Sequence, residues 1–570
     1  MSCSFNILCS CSLYKSNSSE PLVHDTCLEE RDHKLHSRKA TNSSRNFLCC
    51  FRGTETEENE PYYKDGVVNR SVDNPWVKNG KLYNQDYGKI KQSCLSNHSL
   101  FEDPKFPPKD KSLYYSRYPP AKFEWKRASQ ISKDPKFFED GASRFDINQG
   151  RLGDCWMLAA LAGVTMDKQL LYKVVPRAQS FAEDDYAGIF HFKFWQYGNW
   201  VDVVIDDYLP TVSGSLVFMH SNVKNEFWPA LLEKAYAKLY GTYESLDGGF
   251  TSECLSDLTG GCSERYDLKG ENSPQNLFEL MKKASIQHCL QGCSITPDSR
   301  IREARLENGL VRGHAYTITK VLEVDINHPS FKGTERLIRI RNPWGHKEWN
   351  GAWSDKSPEW GYLSENEKRQ IGLTLDDDGE FWMSETDFSK NWSTLVVCNI
   401  LTDPENENTR NNRLSWFVAS SVGSWKQRKT AGGCINNIRK FATNPQFRFR
   451  LDHPDDSNDN NHGCTIVVSL MQRDRRALRD DGLDLLSIGF QIYAVWPDPN
   501  EFPKRLTTDF FRRRRPVGGS DTYTTLPEVT SRITIPPGTY CIIPSTFHPN
   551  EEGDFYLRIF THEKTNLLPY

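Results

Sequence analysis

The sequence contains no run of 18 or more apolar residues, so no segment has the length and hydropathy of a membrane-spanning helix. It carries no excess of one charge: 71 Lys and Arg stand against 75 Asp and Glu, a formal net charge of −4. That near-balance argues against bulk capture of nucleic acid, and no nucleic-acid partner is expected. Cysteine is sparse, 16 among 570 residues, far under the ~8–10% of a disulfide scaffold. No CxxC pair has zinc-site spacing; the nearest approach is Cys289 with Cys293. The N-terminus lacks a basic lead-in, and Phe5 to Leu8 is too short an apolar stretch for a secretory signal. The thiols therefore read as reduced and the protein as cytoplasmic. Ser2 excludes N-myristoylation. No stretch satisfies the EF-hand calcium-loop pattern, and no internal repeat is found.

At ~150 residues per domain the length suggests three or four domains. Residues 1–84 are rich in Ser, Asn, Lys and Glu without periodicity and read as a disordered tail, with Cys3, Cys9, Cys11, Cys49 and Cys50 as candidate palmitate acceptors. From Tyr87 the texture becomes that of a folded chain, with a first unit over 85–260. In it Asp154 stands as an N-cap before a helix opening at Cys155, strands are predicted at Ile189–Trp195 and Trp200–Ile205, and a helix at Trp228–Leu239. Thr259-Gly260-Gly261 reads as a hinge or turn leading into a second unit, 261–411, with strands at Ala315–Val324 and Leu337–Arg341. Short β stretches with turn signals then predict an antiparallel β-sandwich over 412–570.

Gln149-Gly-Arg-Leu-Gly-Asp-Cys155-Trp places a cysteine at the opening turn of a helix, where the helix dipole lowers the thiol pKa. The Cys155 N–H and Gln149 are candidate donors to a developing oxyanion. Gly313-His314-Ala-Tyr-Thr-Ile-Thr puts a histidine at the start of a strand. Arg341-Asn342-Pro-Trp344-Gly345 puts an asparagine at the end of another, with Trp344 beside it to shield an Asn–His hydrogen bond from water. The chain order Cys, His, Asn is that of papain-like thiol hydrolases, in which the asparagine fixes the histidine tautomer.

The segments QGRLGDCWMLAA, GHAYTITKV and RIRNPWG resemble the three catalytic motifs of the calpain family. EFWPALLEKAYAKLYG, DGEFWMS, TAGGC and PPGTYCIIPSTFHPNEEGDFYLRIF extend the likeness from about Phe101 to about Phe560. The resemblance implies an α+β fold, a two-lobed papain-like core (85–260 and 261–411) followed by a C2-like sandwich. It implies a calcium-activated intracellular cysteine endopeptidase carrying out limited proteolysis, with Cys155 as nucleophile, His314 as base then acid, Asn342 as its orienter and Gln149 in the oxyanion hole. It further implies two calcium ions that bring the cleft into register. The first-lobe ligands correspond to Glu139 and Gly141 through their carbonyls, Asp146 and Glu226. The second-lobe ligands correspond to Glu348, Asp355, Asp378 and Glu380, with a carbonyl near Asp376. Independently of the family, Asp376-Asp377-Asp378-Gly379-Glu380 crowds four carboxylates together, a repulsion that a hard, oxygen-seeking cation relieves.

The sequence departs from the conventional family layout in lacking a penta-EF-hand domain. That predicts no small-subunit heterodimer and weaker recognition by the family's protein inhibitor. Expected partners are extended segments of substrate proteins. In the sandwich, Asp452, Asp455, Asp456 and Asp459 form an acidic loop suited to calcium or to clamping basic residues on the protease lobes. Arg512 to Arg515 suit anionic phospholipid and membrane recruitment. Two other readings fit part of the pattern: a transglutaminase-like acyl transfer, and a calcium-dependent membrane or scaffold protein with little proteolytic activity.

Overall fold

Hydrophobic side chains gather into separate cores, and these divide the chain. The computed structural model describes residues 76–271, 273–298, 301, 303–400, 416–455, 463–495 and 505–570, in mixed helix and mostly antiparallel sheet. The first core surrounds the helix Cys155–Thr165, whose eleven residues are all buried. Its sequence is apolar on every side, as a fully enclosed helix requires. Around it lie the helix Trp228–Leu239, with Pro229 in the first turn where a missing N–H costs nothing, the helix Thr251–Thr259, and the antiparallel pair Ile189–Gln196 and Asn199–Asp206.

The second core sits on a six-stranded antiparallel sheet in the order Glu380–Ser384, Phe331–Arg341, Ala315–His328, Leu290–Ser294, Thr394–Asn399, Cys262–Asp267. The helix Leu277–Ile286 covers it with Phe278, Met281 and Ala284. The two cores meet along a seam. Leu290, Ala315, Val396 and Cys398 of this sheet complete the first core, and Thr317 Oγ1 donates to the Ala159 carbonyl at 2.7 Å. The expected Thr259-Gly260-Gly261 turn joins the units: Gly260, at φ +73°, caps the helix in the left-handed region. At Gly261 a Cβ would lie 2.7 Å from Cys398 Sγ and the Asn399 carbonyl.

The predicted sandwich is two antiparallel sheets of four and five strands sharing a third core. Its strands include Cys464–Gln472, Ile488–Ala494 and Gly538–Thr546. The strand Cys464–Gln472 is buried on both faces. Ile466, Val468 and Leu470 enter the shared core, while Val467 and Met471 pack near Cys262 and Trp195 of the first two units.

That second face is held by arginines. Arg558, 1% exposed, donates to Glu528 at 2.8 Å and to the carbonyls of Gly260 and Gly261 at 3.1 and 3.2 Å. Arg532 forks onto Glu264 at 2.7 and 3.0 Å. Arg476 forks onto Glu253, donates to the carbonyls of Ser245 and Gly248 at 2.8 and 3.0 Å, and stacks 4.3 Å over the Trp156 ring. The polarity is opposite to the expected acidic-loop clamp. Asp452 accepts from Arg450 and Asp455 from the Thr465 N–H, both inside the sandwich, because that loop's described end lies against its own strands. Asp456 and Asp459 lie outside the described residues.

The tail expected to reach residue 84 stops sooner. Val77–Lys78 and Lys81–Leu82 form a hairpin whose turn residues, Asn79 and Gly80, have φ of 52° and 70°, and Lys81 pairs in parallel with Asp202. Asn-Gly between two short extended pairs is the strongest short-range hairpin cue, and burial of Leu82 anchors it. The five cysteines considered for palmitate lie outside the described residues. Among the described residues no helix is long and apolar enough to cross a membrane, and none of the ten cysteines there is in a disulfide.

Arg476→Ala strips the partner from a largely buried carboxylate, a loss of about 3–5 kcal/mol. Urea unfolding is expected to begin at lower concentration than in the parent chain; an unchanged midpoint would show that this contact carries no stability.

Candidate active site

Cys155 is the first residue of its helix and His314 the residue before the strand Ala315–His328; both are fully buried. Asn342 follows the strand Phe331–Arg341. These two strands pair with Thr317 opposite Arg341, so the register itself brings His314 beside Asn342. The His314 Nε2 to Asn342 Oδ1 distance is 2.8 Å. The amide orientation follows from its other bonds: Nδ2 donates to the carbonyls of His346 (3.1 Å) and Lys347 (2.9 Å), and Oδ1 also accepts from the Trp344 N–H at 3.0 Å. An Oδ1 that accepts from Nε2 places a proton there and leaves Nδ1 facing Cys155. Trp344 lies against the imidazole, ring centroids 4.6 Å apart, where it can keep water from the Asn–His bond.

The Gln149 N–H donates to Pro343 at 3.1 Å, tying the first unit to the loop after Asn342. Its side-chain Nε2 donates to the Leu152 carbonyl at 2.8 Å, while Oε1 is buried without a hydrogen bond. Asp154 occupies the N-cap position but its carboxylate does not cap the helix. It is fully buried beside Glu233, whose other oxygen accepts from the Met219 N–H. Burial pushes both carboxyls up, and the nearness of Asp154 pushes Glu233 further; for Asp154, burial against Glu233 wins over capping.

The motifs gave no hint of Glu303. It reaches the site from the loop between Leu290–Ser294 and His314, and places a carboxylate oxygen 3.3 Å from His314 Nδ1. Among the described residues one set of three His, Cys, Asp or Glu side chains has its ligand atoms all within 4.8 Å of one another, and it is Cys155, Glu303 and His314. Burial pulls the imidazole pKa down, but the Cys155 sulfur and the Glu303 carboxylate outweigh it and raise His314 to about 10. The imidazolium, with its proton ready to be given away, is therefore the form at neutral pH.

The residues expected to hold calcium fall into two acidic groups. In the first, Glu226 accepts from the Glu139 N–H (2.9 Å) and Ser221 Oγ (2.7 Å), and Asp146 from Ser143 N and Oγ (2.7 and 2.8 Å). Gly141 turns the chain at φ +92°. Burial, then the charges of Asp146 and Glu139, push Glu226 up to about 7 against its hydrogen bonds. In the second, burial, the charge of Asp355 on Glu348 and the neighbouring Asp376, Asp377 and Asp378 raise Glu348 to about 8 and Asp355 to about 6. Glu348 accepts from the Gly379 N–H at 2.8 Å, the Asp376 carbonyl from the Asp378 N–H at 2.8 Å, and buried Asp355 Oδ1 has no hydrogen bond. Glu380 stands apart electrostatically. Arg144 (2.8 and 2.9 Å), Arg339 (3.2 Å) and Thr319 (2.9 Å) already hold its carboxylate, and despite burial they keep its pKa low. Arg144 and Asp146 belong to one short turn, so this ion pair joins the two groups. An all-oxygen donor set, an orphaned buried oxygen and carboxyls raised by mutual repulsion fit a hard divalent cation.

A family model described as "Calpain family cysteine protease" matches residues 101–399, and one described as "Calpain large subunit, domain III" matches residues 421–560. The chain belongs to the calpain family. It is 50% identical over 486 residues to Calpain-A of Drosophila melanogaster, covering 85% of this chain and 58% of that protein. It is 47% identical to Drosophila Calpain-B, covering 91% and 55%, and 46% identical to Calpain-8 of Mus musculus, covering 86% and 69%. The chain thus spans less than two-thirds of the length of the two Drosophila relatives. Both calpain matches coincide with the cores described above: the first covers the helix of Cys155 and the six-stranded sheet, the second most of the sandwich.

Asn342→Ala removes the acceptor that fixes the imidazole. Peptide hydrolysis is expected to fall by about 10- to 100-fold in kcat, in line with other groups that orient a working histidine, with KM little changed; a kcat within twofold of the parent would show that Asn342 only fills space.

Proposed function

We propose that this calpain-family chain is a calcium-activated cysteine endopeptidase that cuts extended segments of other proteins. The observation that carries the reading is the Cys155, His314 and Asn342 arrangement, in which the Asn342 amide is oriented by independent bonds and turns Nδ1 toward the sulfur. The separate cores on either side of the seam support a two-lobed papain-like organisation, and the paired antiparallel sheets support a C2-like sandwich.

In the reaction the Cys155 thiolate attacks the scissile carbonyl carbon. The Cys155 N–H and a Gln149 amide hydrogen stabilise the oxyanion, and His314 gives its Nδ1 proton to the leaving amine. Water, deprotonated by His314, then opens the thioester, and Asn342 holds the ring in one tautomer through both steps. Substrates are expected to be strand-like, because a cleft between two lobes receives an extended chain.

Two calcium ions are the regulators in this reading, with Glu139, Gly141, Asp146 and Glu226 holding one and Glu348, Asp355, Asp376, Asp378 and Glu380 the other. Bound calcium supplies charge neutralisation of the crowded carboxylates. The Arg144–Glu380 pair ties the two groups mechanically, since it spans 236 residues of sequence and both units. The protein acts in the cytoplasm, and the exposed Arg512 to Arg515 run supports recruitment to anionic phospholipid.

Casein cleavage by the purified chain is expected to rise with calcium and to drop by several orders of magnitude in Cys155→Ser. No cleavage at any calcium concentration would overturn the peptidase reading.

The raised carboxyls set a pH dependence. At neutrality Glu348, near 8, keeps its proton and Glu226, near 7, is half protonated, while Asp355, near 6, takes up its proton only below neutrality; unfolded carboxyls ionise near ~4. A cation must displace those protons, so calcium affinity is expected to rise as pH climbs from 6 to 8, with proton release on binding. Calorimetry in buffers of different ionisation enthalpy measures this; pH-independent binding without proton release would refute it.

A further inference from the structure

We propose that Cys155, His314 and Glu303 form a binding site for a thiophilic divalent cation of the zinc class, separate from both carboxylate groups, whose occupation silences the cysteine. Three donors of different chemistry, Sγ, Nδ1 and a carboxylate oxygen, lie within 4.8 Å of one another. Zinc takes this set at ~2.3 Å from sulfur, ~2.0–2.1 Å from imidazole and ~2.0–2.2 Å from carboxylate, which places neighbouring ligands about 3.3–3.6 Å apart in a tetrahedron. The 3.3 Å between His314 Nδ1 and Glu303 already has that spacing.

Two further observations point to a ligand. His314 is fully buried, and its Nδ1 faces the cluster, in ion-pair range of Glu303 at 3.3 Å and with no hydrogen bond to a group outside the cluster. Its other nitrogen is held by Asn342 Oδ1, the outer-shell bond that metal-binding histidines use to fix their tautomer. Glu303 alone of the three keeps some exposure, 14% of its side chain, and forms the solvent-side corner through which a cation enters.

Sulfur and imidazole disfavour calcium and magnesium, whereas the acidic groups offer only oxygen, so the two kinds of site sort their ions by chemistry. Binding needs no redox change. The Cys155–His314 pair carries one proton, on Nδ1; the cation replaces it, the proton passes to solvent, and a water takes the fourth position. The sulfur lone pair then used by the metal is no longer available to attack a carbonyl.

Cobalt(II) is the probe, added to the full chain in saturating calcium so that the carboxylate groups are occupied. The expected result is a near-ultraviolet thiolate-to-cobalt band, with a component that is absent in Cys155→Ser and is displaced by zinc(II). In Glu303→Gln and Glu303→Ala, each checked for unchanged far-ultraviolet circular dichroism, that component needs at least ~10-fold more cobalt. Identical spectra for the parent chain and Cys155→Ser would place any bound cobalt on other thiols and overturn the site. Unchanged cobalt midpoints in both Glu303 variants would overturn it as well. The spectrum requires no turnover, so it succeeds or fails independently of casein cleavage.

Discussion

The contact on which the rest depends is the seam between the helix Cys155–Thr165 and the strand Ala315–His328. In the proposed reaction the nucleophile Cys155 lies in the first core, while His314 precedes a strand of the sheet that carries the second, so their distance is set by how helix and sheet dock. The docking is dry and shared: Ala315, Leu290 and Val396 of the sheet serve the core of the helix, and Thr317 Oγ1 binds a helix carbonyl. A side chain–backbone bond inside an apolar seam fixes register along the strand, because sliding by one residue would bury the Thr317 hydroxyl without its partner. From that register His314 reaches the helix N-terminus, and from the pairing of its strand with Phe331–Arg341 it reaches Asn342.

Electrostatics then gives the catalytic cluster and the acidic groups different chemistries. At Cys155 and His314 an imidazolium is stabilised by sulfur and by Glu303, a charge pattern that favours thiolate. In the acidic groups desolvation and like charge raise carboxyl pKa values, which favours protons or a cation. Glu380 differs from its neighbours in the second acidic group: Arg144, Arg339 and Thr319 already hold its carboxylate and keep it ionised, so it is poised as an anion without a metal cation. The sandwich adds a third pattern, arginines that hold carboxylates and backbone carbonyls of the protease units and so tie the position of the seam to the sheet behind it.

Much of this was legible in the sequence because it is local or carried by motifs. The apolar run after Asp154, the Pro229-led helix, the alternating strands and the three motif segments each declare themselves within a dozen residues, and the strand register made the distances between motifs irrelevant. What was not legible has physical reasons. Asp154 looks like a cap, but burial against Glu233, distant in sequence, decides its environment. Glu303 sits in an irregular loop with no periodicity to mark it, and its importance comes from where the loop lands. Arg476, Arg532 and Arg558 occupy sandwich positions where arginine reads as solvent-facing; only the docking of a second domain explains the burial of Arg476 and Arg558 and the ion pair of Arg532. Asn79-Gly80 was a readable hairpin cue hidden by the polar composition around it.

The grip of Arg558 on the Gly260 and Gly261 carbonyls bears on how such a chain can vary through descent. Gly260 is closed to substitution by its backbone conformation and Gly261 by crowding from Cys398 and Asn399, two unrelated steric reasons at adjacent positions. Lysine cannot inherit the role of Arg558, because a single ammonium cannot reach Glu528 and two carbonyls in the planar fork that guanidinium provides. A hereditary lesion at this joint would leave every reacting atom intact and still disable the molecule. Loss-of-function variation is therefore expected to cluster at a place that an inspection of the chemistry alone would pass over.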